Sequence, residues 1–225
     1  RQEDFYIGDL LQELVSARFP LVMPAVEGLW SYGETGYHSL AAAVVKQRYG
    51  REAMASAFRI LGEGQLSLTK FLLVTDRHVD LRNFKVTLEH VLASTNPETD
   101  LYVFSNLSMD TLDYTGPAVN QGSKGVWLGL GDPVRELPRQ FTASSIPQGV
   151  TDVRVFCPGC LVVGAASRTA EPDAASRLAK EAVFRDWPLV VITEEPARAA
   201  ASSMNFLWTT FTRFEPAADI HAADR

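Results

Sequence analysis

The sequence is poor in cysteine and has no excess of positive charge. Its 225 residues include only two cysteines, which excludes the disulfide framework of small secreted domains. Lysine and arginine together number 21 against 27 acidic residues, and the net charge of -6 disfavours binding to nucleic-acid phosphates. No apolar run approaches the roughly 20 residues that span a bilayer, and the N-terminus lacks a signal-peptide pattern. We therefore predict a cytoplasmic protein with no membrane span and no nucleic-acid partner.

Short apolar runs alternate along the chain with helix-like segments. The predicted strands are residues 39–45, 70–75, 101–104, 161–165 and 188–193, followed by a last strand at 219–221. The predicted helices are residues 5–19, 50–61, 81–93, 172–184 and 199–213. Because parallel neighbours need crossover connections, this alternation predicts an α/β fold with a mainly parallel sheet and helices on both faces.

The two halves of the chain align weakly with each other. Residues 71–76 align with residues 189–194 at an offset of 118, and residues 96–101 align with residues 215–220 at an offset of 119. We therefore predict two related βαβαβ halves, at about 38–105 and about 159–222, that arose by internal duplication. The connecting segment, 106–158, contains strand-like runs and predicts an inserted hairpin or edge strands. A linker helix at 1–20 would precede this domain of residues 21–225.

Two motifs invite a chemical interpretation. Cys157 and Cys160 flank Pro-Gly, but a redox dithiol needs a thiolate at a helix N-terminus, and an apolar strand follows instead. We therefore favour a tight turn with core thiols. The glycines at 122, 125, 129 and 131 could approach a phosphate, but their spacing does not match a phosphate loop. Turns around an edge strand are the favoured interpretation.

Polar residues follow two of the predicted strands. Thr75-Asp76 and Thr193-Glu194 lie where open α/β sheets bind ligands, although carboxylates there more often cap helices. Asp76, His78 and Asp80 alternate and could share a divalent ion, but a solvated loop is favoured because no fourth ligand is near. Ser123 has no nucleophile-elbow context, so no Ser, His and Asp grouping is indicated. The residues alone therefore reveal no catalytic site.

A series of short motifs occupies residues 3–131. They are Glu3-Asp4-Phe5-Tyr6-Ile7-Gly8, Leu10-Leu11, Phe19-Pro20, Pro24, Glu27-Gly28, residues 70–74, the helix at 80–88, Asn96-Pro97-Glu98-Thr99-Asp100, Leu112-Asp113-Tyr114 and Gly122-Ser123-Lys124. In order and spacing they resemble the C-terminal domain of UbiD-type carboxy-lyases, the 3-polyprenyl-4-hydroxybenzoate decarboxylases and their relatives. The residues after 131 resemble the longer C-terminal regions of some members.

This resemblance implies a reversible, non-oxidative decarboxylation of a small aromatic or unsaturated acid on prenylated FMN. In the family, the flavin, a divalent metal and a Glu, Arg, Glu catalytic set all belong to an N-terminal portion. No residue of this chain matches that set. The resemblance therefore implies that this chain alone binds no cofactor and is inactive, and that its partner is the missing N-terminal flavin-binding domain.

The resemblance also implies candidate substrate-binding residues. In the family, the C-terminal domain closes over the flavin, forms part of the apolar substrate wall and carries much of the subunit interface. The matching wall residues are Ala25, Val26 and Glu27 in a first loop, and Leu107, Ser108 and Met109 in a second. We expect both loops at the carboxyl edge of the sheet. The alternative is that Leu107 and Met109 pack against the next helix.

The implied function is thus a substrate-capping and homo-oligomerising domain, and two alternatives stay open. The chain could be a free-standing α/β nucleotide-binding protein, or a non-catalytic assembly subunit. Because it begins at Arg1 and its second half ends abruptly, we expect a fragment of a longer protein.

Overall fold

Helices and strands alternate along the chain in the computed structural model, which describes residues 17, 19–35, 39–143 and 145–223. The strands are β1 (Val26–Ser31), β2 (Leu40–Val45), β3 (Phe71–Thr75), β4 (Leu101–Ser108), β5 (Gln121–Gly129), β6 (Asp152–Cys157), β7 (Cys160–Gly164) and β8 (Leu189–Thr193). The α-helices are α1 (Phe19–Val22), α2 (Glu52–Leu61), α3 (Phe84–Ser94), α4 (Pro97–Asp100), α5 (Ala174–Leu178), α6 (Pro196–Ala200), α7 (Ser203–Phe211) and α8 (Pro216–Asp219). Short 3-10 helices lie at Gly33–Thr35, Gly64–Leu68 and Ala182–Phe184.

The described strands form two sheets rather than one. A five-stranded sheet has the order β1-β2-β3-β5-β4, and a three-stranded sheet has the order β6-β7-β8. The pairs β2–β3, β3–β5 and β7–β8 are parallel, whereas β1–β2, β4–β5 and β6–β7 are antiparallel. The predicted dominance of parallel pairing is therefore not confirmed. A connection as short as the one from β6 to β7 can join only antiparallel strands.

Strand β5 lies inside the sheet, so the predicted edge strand around residues 126–128 was wrong. Eight of its nine residues are buried, and its glycines serve close packing rather than turns. A Cβ atom on Gly125 would lie 2.2 Å from Cε2 of Phe71, and one on Gly129 would lie 2.5 Å from Cα of Val91. These glycines therefore let β3 and α3 approach β5 closely. The other predicted extra strand is confirmed as β6, at the edge of the second sheet.

Apolar side chains form three layers around the two sheets. The largest cluster lies between the sheets and joins them through α3 and α7; within it the rings of Phe156 and Phe206 stack 3.9 Å apart. Helix α2 covers the other face of the five-stranded sheet and buries Ile60. Leu178 of α5 and the ring of Trp187 cover the outer face of the second sheet. The predicted α/β class is thus confirmed.

Several predicted boundaries differ from the structure. Nearly all of the predicted helix at 5–19 lies outside the described residues, and Pro20, predicted to end it, lies within α1. The predicted helix at 172–184 is reduced to α5 and a 3-10 turn, and the one at 199–213 is divided into α6 and α7, where the Ser202 hydroxyl caps α7 by accepting from the Asn205 N–H. The predicted strand at 219–221 is absent, because side-chain hydrogen bonds close α8 as a single turn instead.

The first and second halves share local geometry. In the first sheet β2 pairs with β3 from Leu40↔Phe71 onward, and in the second β7 pairs with β8 from Cys160↔Leu189 onward, each over five residue pairs. Both α4 and α8 are single turns with proline at the first helical position. In each, the closing aspartate accepts from the backbone N–H of the N-cap residue at 2.7 Å.

No α-helix in the described ranges is long and apolar enough to cross a membrane. The predicted cytoplasmic location and the absence of a nucleic-acid partner stay predictions.

Candidate functional site

The carboxyl ends of β2, β3 and β5 meet at one edge of the larger sheet, where α/β proteins commonly bind ligands. The Asp76 carboxylate, which follows β3, accepts from Nε2 of Gln47 at 3.3 Å and from the backbone N–H of Gly131 at 2.8 Å. Because Gln47 follows β2 and Gly131 follows β5, Asp76 ties the three strand ends together. The expectation that it caps a helix was wrong, since α3 is capped by Asn83.

The first candidate loop lies at this carboxyl edge, as predicted. Strand β1 runs antiparallel to β2, so that Val26 pairs with Val45, the last residue of β2. Val26 is buried, Ala25 is half-buried and Glu27 is exposed. One carboxylate oxygen of Glu27 lies 3.4 Å from Nε2 of the exposed His78.

The second candidate loop lies at the opposite, amino edge of the sheet. Strand β4 is antiparallel to β5, and Ser108 therefore pairs with Gln121 at the beginning of β5. For Leu107, Ser108 and Met109 the expected position at the carboxyl edge was wrong, because a strand pattern in the sequence does not give the strand's direction. Since β1 and β4 are also the two outer strands, the structure does not bring the two loops together.

Met109 is buried and packs against β5. Only 5% of its surface is exposed, and a Cβ atom on Gly122 would lie 2.7 Å from its Cγ. The neighbouring Leu107 is 38% exposed, and Ser108 is also exposed. Met109 therefore packs against the glycine of the Gly-Ser-Lys motif, and the exposure of Leu107 does not support the alternative that it packs against the next helix.

The amino edge contains a buried ion pair to which the sequence analysis gave no role. Lys70 is 1% exposed, and its Nζ lies 2.8 Å from Oδ2 of Asp113. The same Nζ donates to Oγ1 of Thr115 at 3.2 Å and to the backbone carbonyl of Phe211 at 3.0 Å. Burial lowers the pKa of Lys70 despite the attraction of Asp113. Burial raises the pKa of Asp113, but the hydrogen bonds from Lys70 and Thr115 outweigh it and leave this pKa below its ordinary value.

A second buried lysine lies on β5. Nζ of Lys124 donates to the backbone carbonyls of Ser67 at 2.8 Å and Thr69 at 2.7 Å. Both acceptors are neutral, and burial lowers the pKa of Lys124 to about 8. Lys70 and Lys124 therefore hold the loop before β3 and the loop after β4 at this edge.

The Lys124→Met substitution is expected to reduce the pH dependence of stability. A lysine in the unfolded chain has a pKa of about 10.4, whereas the pKa of Lys124 in the folded protein is about 8. Between these pH values the unfolded chain holds more protons, so the free energy of unfolding should rise with pH. Urea unfolding from about pH 7 to about pH 10 should show this rise in the natural protein and in the exposed-site control Lys46→Met. An equal rise in Lys124→Met would contradict the assignment.

A cleft of about 450 Å³ opens at the amino edge between β4, β5 and α8. Ser123 lines it and donates a hydrogen bond to the Glu215 carboxylate, while its oxygen accepts from the backbone N–H of Ala217 at 2.8 Å. The Gly-Ser-Lys motif thus fixes the C-terminal helix α8 to the sheet.

The two cysteines have a structural position. Cys157 and Cys160 face each other across the β6–β7 turn, where Gly159 has φ of 78°. Both thiols are buried and free, and burial raises the pKa of Cys160 well above its ordinary value. A reactive thiolate needs a lowered pKa, so this thiol is not of the reactive kind. The turn and the burial of both thiols agree with the predicted tight turn with core thiols.

The described residues do not fit a metal centre. Within them, no three His, Cys, Asp or Glu side chains lie close enough to hold a metal ion. Asp76 is engaged with Gln47 and Gly131, and the Asp80 carboxylate accepts from the Arg82 N–H at 3.1 Å. The alternating carboxylates of the loop after β3 therefore form no ion site with His78.

Comparison with known proteins gives the family. The sequence pattern of the 3-octaprenyl-4-hydroxybenzoate carboxy-lyase C-terminal domain matches residues 5–129, more than half of the chain, so the chain belongs to this family. A protein of Chlamydia trachomatis is 53% identical over 220 residues. A Chlamydia pneumoniae protein, named as one of the subunits of a 4-hydroxybenzoate decarboxylase, is 50% identical over 221 residues. Each alignment covers 98% of this chain but 37% of the relative, so the chain spans little more than a third of their length.

Solved structures of decarboxylases show weaker similarity. The open form of the Sedimentibacter hydroxybenzoicus vanillic acid decarboxylase aligns at 21% identity with a TM-score of 0.49, covering 61% of this chain and 29% of that one. The FMN complex of the UbiD-class enzyme HmfF from Pelotomaculum thermopropionicum aligns at 15% identity with a TM-score of 0.49, covering 62% and 31%. At this level of similarity the two structures carry no functional argument.

Proposed function

We propose that this chain is the C-terminal, substrate-capping and oligomerising domain of a prenylated-FMN-dependent decarboxylase of aromatic or unsaturated acids. Membership of the carboxy-lyase C-terminal family supports this proposal. The observation that carries it is the 50% identity, over 98% of this chain, to a protein named as part of a 4-hydroxybenzoate decarboxylase. Because the chain spans only 37% of that relative, we assign the activity to the whole protein.

We assign the flavin and a divalent metal to the part of the protein outside these 225 residues. Prenylated FMN, when bound, supplies an acceptor for the electrons left by the departing carbon dioxide. The described residues contain no cluster of three metal-binding side chains. Their proposed contribution is to exclude water and to set the size of the substrate when the domain closes.

We propose that the carboxyl edge faces the substrate. Ala25, Val26 and Glu27 lie there, beside the strand ends that Asp76 joins by hydrogen bonds. The second candidate loop, Leu107, Ser108 and Met109, lies at the opposite edge of the sheet. It could join the same wall only if a second copy of the chain, or the remainder of the protein, brought it to the substrate. Their role in the wall stays a prediction.

We assign the oligomer contact to the outer strand β4 and the loop after it. Five large apolar side chains are exposed there: Val103, Leu107, Leu112, Tyr114 and Val119. Strand β4 carries no charged residue, and an uncharged outer strand with exposed apolar neighbours is typical of a contact surface.

We also propose that the two sheets arose by internal duplication. The equivalent registers of β2–β3 and β7–β8, and the equivalent closure of α4 and α8, support it. The matching threonine hydroxyls at the ends of β3 and β8 each accept from the backbone N–H two residues later, at 3.1 and 3.3 Å.

The test uses the full-length protein loaded with prenylated flavin. We expect carbon dioxide release from 4-hydroxybenzoate or a related acid. Ala25→Trp should lower kcat/KM for larger acids about tenfold, because steric discrimination of this kind is worth about 10- to 200-fold. The flavin absorbance should not change, and Ala55→Trp, at an exposed position of α2, should have no effect.

The outcomes separate the parts of this proposal. If the loaded protein released no carbon dioxide from any aromatic or unsaturated acid, the proposed decarboxylase function would be rejected. Turnover with an unchanged substrate profile in Ala25→Trp would reject only the wall assignment.

A further inference from the structure

The outer edge of β8 differs from the equivalent edge of β3. Strand β3 lies between β2 and β5, and all five of its residues are buried. Among the described strands β8 pairs only with β7, and four of its five residues are only half-buried. The second sheet therefore ends at the position where the first sheet continues into β5.

The backbone of β8 offers hydrogen bonds on this outer side. The Leu189 N–H donates to the Gly159 carbonyl at 3.2 Å, and the Thr193 carbonyl accepts from the Ala165 N–H at 3.1 Å. Backbone N–H and C=O groups of successive residues point to opposite sides of a strand. Those of Leu189, Val191 and Thr193 therefore point towards β7, whereas those of Val190 and Ile192 point away from β7, towards the outer edge of the sheet.

The first sheet shows what these outward groups can bind. The Phe71 N–H donates to the Ser39 carbonyl at 2.9 Å, as Leu189 does to Gly159, so that Leu72 and Val74 face β5. On that side the Lys70 carbonyl accepts from the Gly125 N–H at 2.9 Å. Val190 and Ile192 occupy the positions of Leu72 and Val74 at the offset of 118 residues.

The edge lacks the features that block strand addition. Strand β8 has the sequence Leu-Val-Val-Ile-Thr, with no charge, proline or glycine, and its pairing with β7 has no bulge. Leu189 and Val191 pack in the cluster between the sheets, and Val190 and Ile192 pack in the outer cluster. An added strand would therefore extend two existing apolar layers.

We propose that the outer edge of β8 binds a further parallel strand of the same polypeptide, from the part of the protein outside these 225 residues. The relatives that align over 98% of this chain have most of their length outside the alignment. A segment of that length could provide the added strand. A parallel strand needs a crossover of about a dozen residues or more, which a segment of the same protein can provide. Buried on both faces, it would be a continuous apolar run, as Val126-Trp127-Leu128 is in β5.

Residue-resolved amide hydrogen exchange on the full-length protein tests this proposal. We expect the amides of Val190 and Ile192 to be protected from exchange, relative to exposed loop amides, to the same extent as those of Leu189 and Val191. Leu189 and Val191, which bond to β7, are controls within the same strand. Exchange of Val190 and Ile192 at loop rates, with Leu189 and Val191 protected, would overturn the proposal.

A photo-crosslinking residue in place of Glu194, which is exposed just after β8, identifies the occupant. A crosslink within one chain, to an apolar run outside these residues, is the expected result. A crosslink to a second copy, with protection lost on dilution, would overturn the proposal. Neither measurement uses decarboxylation, so the strand proposal and the proposed function can fail separately.

Discussion

Replacing Lys70 by alanine is expected to lower the free energy of unfolding by about 3 to 5 kcal/mol, the usual effect of breaking a buried ion pair. The variant would leave Asp113 mostly buried without its cation and would remove the bonds to Thr115 and to the Phe211 carbonyl. These bonds connect the loop after β4 and the end of α7 to the sheet. The loss should therefore appear in urea unfolding of the full-length protein as a lower midpoint.

The control is Lys46→Ala, which removes an exposed lysine and should change stability by no more than about 0.5 kcal/mol. A double variant, Lys70→Met with Asp113→Leu, removes both charges and should be more stable than Lys70→Ala, since no uncompensated charge remains. Equal losses in Lys70→Ala and Lys46→Ala would show that the pair does not stabilise the fold.

The Met109→Ala substitution is expected to lower the free energy of unfolding by about 2 to 5 kcal/mol, the range for truncating a buried methionine. Met109 is 5% exposed and fills the space above Gly122, so the smaller side chain would leave a cavity. The matched control is Leu107→Ala, two residues earlier and 38% exposed, which should cost clearly less.

Substitutions of Met109 also test whether the second candidate loop forms part of the substrate wall. Met109→Leu keeps the side-chain volume and should cost less than about 1.5 kcal/mol. A Met109→Ala protein of unchanged stability but altered substrate range would contradict the packing role and support the substrate wall.

Local patterns predicted much of the fold. The apolar runs at 39–45 and 70–75 predicted β2 and β3 within one residue, and the segment at 50–61 predicted α2. These predictions succeeded because a buried strand or a buried helix face requires a characteristic spacing of apolar residues. The turn between Cys157 and Cys160 was predicted from Pro-Gly followed by an apolar run. The family resemblance was likewise predicted from short motifs and is confirmed.

The candidate site was predicted less well. The position of Ala25, Val26 and Glu27 at the carboxyl edge was correct, but that of Leu107, Ser108 and Met109 was not. Asp76 was expected to cap a helix and instead joins three strand ends. A carboxylate that follows a strand looks the same in the sequence in both cases.

The residue pattern thus located most of the strands and several of the helices, and it indicated the family to which the chain belongs. The three-dimensional arrangement alone decided that β5 lies between β3 and β4, that β4 runs antiparallel, and that the second half forms its own sheet. The physical reason is that the alternation of side chains depends on residues two apart, whereas strand neighbours and directions depend on contacts between residues far apart in the chain. The pairing of Lys70 with Asp113, 43 residues later, is of the second kind.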